Sequence, residues 1–585
     1  MASQQAFSCD MSKAHTACLE ALAQLRTSHL FAKDYIRSST CFSALAPREK
    51  SYAIRLLSGL VLARPYIDTL LARYIKRFSH LTYAVQDILA CAVFEVLFLK
   101  HPAHAVIADA VSRVSRVKRP LSGLCNASLR ALTRVELPRT QAAYEYMLKV
   151  YNDGEAICAD GGCAADAAGA DGGCAADASC IEAASACAAM PVSIARRIYA
   201  DRGAHTLAGQ ALALVDALPL FACVNQGLEH HPAPAVSASS VRLPGDTSLA
   251  RPHVVPYTLV SEAQLGIALV KDRAQASRFS FQHPDMLMFS DFAAQAIAAL
   301  AVWELAHDTN STSDLLEIAC GRGTKSLLMA SFFAGLAQAN TQVHMQARAQ
   351  ANMQVNMQAQ TLTHECAPLS CANTSPRDFH HLAFDSDVHK VQDARSRMRA
   401  WAPWHDFSAD AVDCRALNTS LPAHTMFDHV FVDAPCSGIS TVRRHVDTFA
   451  HLDLNCLDPR RKDSLPCLQL SLLKEASRYV KPGGKLIYST CSLFLAEDEE
   501  VIDAFLHAPE GARFCARELP VSWKEWVSAS CRQFARDLIS EASPLRQTLP
   551  QVFEDALGKS SFELVFPSCP AAFDAHFVAY LEAKS

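Results

Sequence analysis

Two cysteines stand where chemistry is easiest to do. Cys436 lies in Asp433-Ala-Pro-Cys-Ser-Gly438, directly after the apolar run Val430-Phe-Val432, and Cys491 lies in Ser489-Thr-Cys-Ser492, at the end of Lys485-Leu-Ile-Tyr-Ser-Thr490. Both runs read as buried strands. Both thiols therefore fall at strand carboxyl ends, where open α/β sheets bind ligands. An ordinary turn with a buried thiol would account for one of them alone. Two at two strand tips, beside the cleft where such sheets take small molecules, are harder to dismiss as structural.

A third strand tip carries glycines. Asp314-Leu-Leu-Glu-Ile318 reads as a strand, and Ala319-Cys-Gly-Arg-Gly-Thr-Lys325 as a turn into a helix. Gly321 and Gly323 let the backbone approach a ligand, and the new helix offers free N–H groups. The motif alone also fits a dinucleotide site or a plain β–α turn. A fourth run, His381-Leu-Ala-Phe, ends in Asp385. An acid at that place binds ribose hydroxyls in doubly wound folds, or Asp385 or Asp387 simply caps the next helix. The acids Glu497 to Glu500 read as a solvated first helical turn that favours the dipole.

The chain that must position these residues has 585 of them, enough for several domains. Residues 1–150 show apolar positions at three- and four-residue spacing, with breaks near Pro47, Pro102 and Pro120, and read as an all-α bundle of six or seven helices. Separate helices are expected from Arg48 and from Tyr66. Residues 151–190 contain Ala-Asp-Gly-Gly-Cys-Ala-Ala-Asp-Ala twice (159–167 and 170–178) and read as a low-complexity linker unable to bury enough surface to fold. Mixed α/β patterning follows: a lead-in at 191–300, a doubly wound unit at 301–510 interrupted by a Gln/Met-rich insertion at about 337–377, and an extension at 511–585 that ends in a strand. The stretch from Pro509 to Lys559 has no assignable pattern.

Composition narrows the partners. The net charge is −5, but residues 1–150 carry 20 Lys+Arg against 10 Asp+Glu, while the remainder carries 34 against 49. A basic front module suggests contact with phosphate, although a basic solvated surface would look the same. The apolar run Ile88–Leu99 is too short to span a bilayer and contains Glu95, so a buried core helix is expected. The first twenty residues lack a basic stretch followed by an apolar one. The 22 cysteines read as reduced thiols rather than a disulfide framework, which fits a cytoplasmic protein, and no pair of Cys-x-x-Cys units or Cys/His cluster has zinc-ligand spacing.

Taken together, the four motifs resemble the RNA 5-methylcytosine methyltransferases. His101–Leu132, with Lys118, Arg119, Pro120, Gly123, Asn126 and Arg130, is similar to the NusB family of helical RNA-binding domains. The combination resembles the RsmB/Sun (Fmu) branch, and matching pieces continue in Phe221–Asn225, Phe289–Gln295, Arg443–Asp447, Gln469 and Phe573 onward. The resemblance implies a NusB-like bundle followed by a Rossmann-like, class I methyltransferase domain that uses S-adenosylmethionine on small-subunit ribosomal RNA, as a monomer without metal. It implies Cys491 as nucleophile, Cys436 in product release and Asp433 on the base edge; a thiolate needs an electropositive, accessible site, to which Lys325 is a candidate contributor. For the cofactor it implies Ala319, Cys320, Gly321, Arg322, Gly323, Thr324 and Lys325 at the amino acid moiety, Asp385 at the ribose, Asp413 near the adenine, and Asp433. Two places depart from the family pattern. Its loop usually reads Cys-Ala-Ala-Pro-Gly-Gly-Lys, and it usually has Thr-Gly where Ile439 and Ser440 stand. Transfer RNA remains an alternative substrate. The altered loop also leaves a non-catalytic RNA-binding scaffold open, whereas a dehydrogenase would leave the two cysteines without a role.

Overall fold

In the computed structural model the described residues are 2–153 except 29, 175–215, 220–226, 257–259, 267–270, 282–307, 312–337, 379–538 except 423, 554–558, 562–566 and 574–585, with a few isolated positions between them. The insertion expected at 337–377 and most of the repeated Ala/Gly/Asp/Cys segment lie outside them.

The front of the chain is helical: α1 (Ala2–Thr27), α2 (Ala32–Ser38), α3 (Thr40–Ser43), α4 (Pro47–Tyr74), α5 (Tyr83–Leu97), α6 (Ala103–Lys118) and α7 (Ser122–Asp153). α5 is the centre, with every residue from Val85 to Leu97 buried. Its charges are buried with partners. Asp87 takes Arg26 and Arg64 at 2.7 Å each, and Glu95 takes His15 at 2.9 Å and the Tyr52 hydroxyl. The two helices expected from Arg48 and Tyr66 are one. α4 runs through Pro65 because its buried stripe stays in phase across it (Leu60, Ala63, Ile67, Leu70, Leu71). That burial outweighs the roughly 3 kcal/mol cost of an interior proline.

A second correction concerns the linker. Residues 175–188 form α8, which packs against α7 and α9 (Val192–Val215) and buries Cys180, Ile181, Ala184 and Cys187. Low apolar bulk suggested no fold, yet small side chains let three helices approach closely and fill the space between them.

A four-stranded antiparallel sheet follows, in the order β2 (Tyr257–Leu259), β3 (Ile267–Val270), β1 (Leu220–Val224), β4 (Leu287–Phe289). The main sheet has the order β10 (Phe514–Ala516), β12 (His576–Ala583), β9 (Val480–Thr490), β8 (Phe427–Asp433), β5 (Ser313–Ile318), β6 (Phe379–Asp385), β7 (Asp406–Ala411), and β11 (Glu563–Phe566) also pairs with β12. β5 to β9 are mutually parallel, and β12 runs antiparallel to β9. One face is covered by α10 (Phe292–His307), α11 (324–337), α12 (Val388–Trp401) and α16 (Val521–Leu538). The other is covered by α14 (Leu465–Ser477) and α15 (Glu499–Leu506). The fold is thus a helical domain followed by a Rossmann-like α/β domain. The chain passes from β5 to β6 on one side and returns to β8 on the other, so the switch point lies above β5 and β8. α16 occupies part of the stretch that the sequence left unassigned. Among the described residues no helix is long and apolar enough to cross a membrane, and every cysteine whose side chain is described is a free thiol.

The two halves touch. Asp447 accepts the Ala32 backbone N–H at 3.2 Å, and the short helix α13 (Thr448–His451) packs on α4.

Candidate active site

The glycine turn forms despite its altered sequence. Ala319 (φ 61°), Gly321 (φ 56°) and Gly323 (φ 75°) are all left-handed. At Gly323 a Cβ would sit 2.9 Å from the Ala394 Cβ, so the missing side chain lets α12 close onto the turn. At Gly321 an added Cβ would meet nothing within 4 Å, which leaves an open cradle. Ala319 has a side chain in a conformation that costs about 1–2 kcal/mol. We therefore expect Ala319→Gly to be neutral or to stabilise by up to about 1 kcal/mol, because the added chain entropy offsets part of the gain; Gly323→Ala should be clearly destabilising. Urea midpoints of the two variants check this, and a marked loss in Ala319→Gly would show that the strain is absent.

Asp385, buried at the tip of β6, accepts the Gly321 N–H and the Asp387 N–H, each at 2.9 Å. The helix cap belongs to Asp387, which accepts from His389 and Lys390. Arg322 is exposed and pairs with Asp393, while Thr324 and the Arg322 carbonyl both accept from Arg397. Cys320 is buried, and burial pushes its thiol well up. Asp413, beyond β7, spends its carboxylate on Arg415 at 2.7–3.0 Å; that bonding holds it at about 2.

Lys325, in the first turn of α11, reaches Asp433 at the tip of β8 with 2.7 and 2.8 Å contacts to its two oxygens. Burial works against the Lys325 charge, but Asp433 outweighs it and holds the ammonium above the ordinary lysine range. The two thiols meet with Cys436 Sγ 3.1 Å from Cys491 Sγ. The Cys436 S–H stabilises a Cys491 thiolate, burial opposes it, and the Lys325 charge adds to the lowering, so Cys491 sits below the ordinary thiol range. The same bond, with burial, pushes Cys436 well above it. Lys325→Met should accordingly shift the half-point of Cys491 alkylation by iodoacetamide to higher pH, since Asp433 would then act unopposed. Peptide mapping across a pH series measures this, and an unmoved half-point would remove Lys325 from the thiolate's support.

Several supporting residues were not anticipated. Glu497 and Asp498, expected in a solvated turn, are fully buried. Glu497 binds Ser437, Ser492 and Gln469. Asp498 accepts the Thr490 hydroxyl at 2.5 Å and Arg202 at 2.9 Å. Arg202, 296 residues away in α9, also pairs with Glu499 and donates to the Leu493 carbonyl. The departure at Ile439-Ser440 is accommodated. Ile439 is buried and the Ser440 hydroxyl donates to the Cys491 carbonyl at 2.6 Å. Arg443 and Arg444 both bind the buried Asp574, which precedes β12. Nothing local in the sequence marks Arg202, whose partner Asp498 lies 296 residues away, and the resemblance from Phe573 onward gave Asp574 no role.

Comparisons with known proteins fit this geometry. Residues 12–134 match the NusB family model, and residues 380–551 match the model for the 16S rRNA methyltransferase RsmB/F. The chain carries an RsmB/F methyltransferase domain behind a NusB domain. The RsmB/F match begins at β6, so the altered glycine turn lies outside it. The chain is 35% identical over 142 residues to ribosomal RNA small subunit methyltransferase B of Xanthomonas campestris, covering 23% of this chain and 30% of that protein. It is 35% identical over 129 residues to the probable methyltransferase B of Bacillus subtilis, covering 22% and 26%. The matched stretches thus span less than a third of either RsmB/F relative. The crystal structure of PH0851 shares the fold, with a TM-score of 0.55 at 15% identity over 97% of this chain and 98% of that one.

Proposed function

We propose that this protein methylates carbon 5 of a cytosine in RNA, with small-subunit ribosomal RNA as the substrate and S-adenosylmethionine as the methyl donor. The observation that carries this reading is the pair of thiols 3.1 Å apart at the tips of β8 and β9, with the Lys325–Asp433 pair from the neighbouring turn beside them. The donor has a suitable place. Gly321 leaves an open cradle beside the start of α11, and Asp385 stands across the turn for a ribose diol. When bound, S-adenosylmethionine supplies an electrophilic methyl group.

The residues then divide the work. Cytosine carbon 5 is a weak nucleophile, and attack of the Cys491 thiolate on carbon 6 makes it enamine-like. Asp433 is about a quarter exposed while paired with Lys325, so it has capacity left for the base edge at N3 and N4. Once Cys491 is bonded to carbon 6 its charge is gone, and with it the largest cause that raises Cys436. Cys436 can then release its proton to water and take the carbon 5 proton. The C5–H pair forms the C5–C6 double bond, and the C6–S pair returns to Cys491. The target base has to be unpaired or flipped out to reach these groups.

RNA as the polymer is supported by the basic helical domain, where an open cleft of about 610 Å³ is lined by Arg116, Arg130, Asn126 and three serines. The test is methyl-labelled S-adenosylmethionine with unmodified small-subunit ribosomal RNA beside transfer RNA. Label recovered as 5-methylcytosine in the ribosomal RNA supports the reading. Label confined to transfer RNA changes the substrate, and binding of neither cofactor nor label would favour a non-catalytic scaffold.

A further inference from the structure

The two thiols are not held in place by each other alone. One carboxylate ties down the residue that follows each of them. Glu497 Oε1 accepts the Ser437 N–H at 2.8 Å and Gln469 Nε2 at 3.0 Å. Its Oε2 accepts the Ser437 hydroxyl at 2.5 Å and the Ser492 hydroxyl at 2.6 Å. Gln469 also donates to the Pro435 carbonyl at 2.9 Å, so the residues on both sides of Cys436 depend on this network. Glu497 is fully buried, and these four donors are neutral.

The two cysteines do not depend on it equally. Cys491 follows β9, which is paired on both sides by β8 and β12, and its carbonyl is separately held by Ser440. Cys436 lies in the irregular turn beyond β8; its sulfur accepts the Cys491 N–H at 3.3 Å and the Ala434 N–H reaches the Ser489 carbonyl at 2.9 Å, while the residues directly flanking it, Pro435 and Ser437, are tied by Gln469 and Glu497. We propose that Glu497 is a positioning residue for the release half of the reaction, fixing the Cys436 turn against Cys491 so that the carbon 6–sulfur adduct is resolved. This rests on the reading of the two thiols given above. Removing the carboxylate leaves the nucleophile in place and lets the releasing thiol drift.

The experiment compares the full-length wild type, Glu497→Gln, Ser437→Ala and Cys436→Ala with methyl-labelled S-adenosylmethionine and small-subunit ribosomal RNA. Protein-linked labelled RNA on denaturing gels and free 5-methylcytosine are both followed, and cofactor affinity is read by calorimetry. Glu497→Gln should raise protein-linked RNA roughly tenfold or more over wild type and lower free product to match, because it leaves buried donors unsatisfied. Cofactor affinity should hold. Ser437→Ala, which deletes one donor and keeps the carboxylate, should shift both in the same direction to a smaller extent, and it decides the matter if Glu497→Gln does not fold. Free product falling without accumulated adduct, or neither quantity changing, would overturn the assignment. A wild type that makes no 5-methylcytosine, together with no adduct in Cys436→Ala, would bring down the reading of the site and this assignment with it.

Discussion

Cys491→Ala should abolish RNA methylation, by at least about a thousandfold, because no other group takes over a covalent attack. Cys436→Ala should give a different failure. Its Cys491 still has Lys325 nearby to favour the thiolate, so attack and methyl transfer proceed, and the protein remains bonded to the RNA. The split arises from the geometry, since one thiol is held below and the other above the ordinary range by the same 3.1 Å contact. Label counting on the RNA and gel shift under denaturing conditions distinguish the two. Equal activity loss in both variants, with no adduct in either, would remove the division of labour.

Arg202→Ala should cost stability on the scale of breaking a buried ion pair, about 3–5 kcal/mol. Arg202 is only about a tenth exposed and faces Asp498, which is fully buried. Burial raises Asp498 well above the carboxylate range while Arg202 pulls it down, so removing the arginine raises it further. A raised folded pKa stabilises the fold fully only below the unfolded value, and the benefit is lost as pH rises. The variant should thus be nearer to wild type at pH 5 than at pH 8. Urea unfolding at both values measures this. A loss under about 1 kcal/mol at both would mean that the clamp on the Cys491 loop carries little energy.

The elements around the site were legible because each functional residue ends an apolar run and begins a turn. Strand patterning alone placed Ala319, Asp385, Asp433 and Cys491 at or beyond the tips of β5, β6, β8 and β9. Patterning failed where burial was achieved by means other than bulk hydrophobicity. α8 packs with alanine and cysteine, α4 continues through Pro65, and Glu497 and Asp498 are buried acids that depend, besides nearby hydroxyls, on Ser437, Gln469 and Arg202 far along the chain.

Alternation between apolar runs and breakers is a local property of the chain, so the succession of strands and turns, and hence which residues lie at carboxyl ends, could be read from the residues alone. Which of those ends are neighbours depends on the assembled sheet. The parallel pairing of β8 with β5 and β9 brings Lys325 to Asp433 and Cys436 to Cys491, and the docking of α9 brings Arg202 to Asp498. Those distances follow from sheet order and long-range packing, which no short stretch of residues encodes.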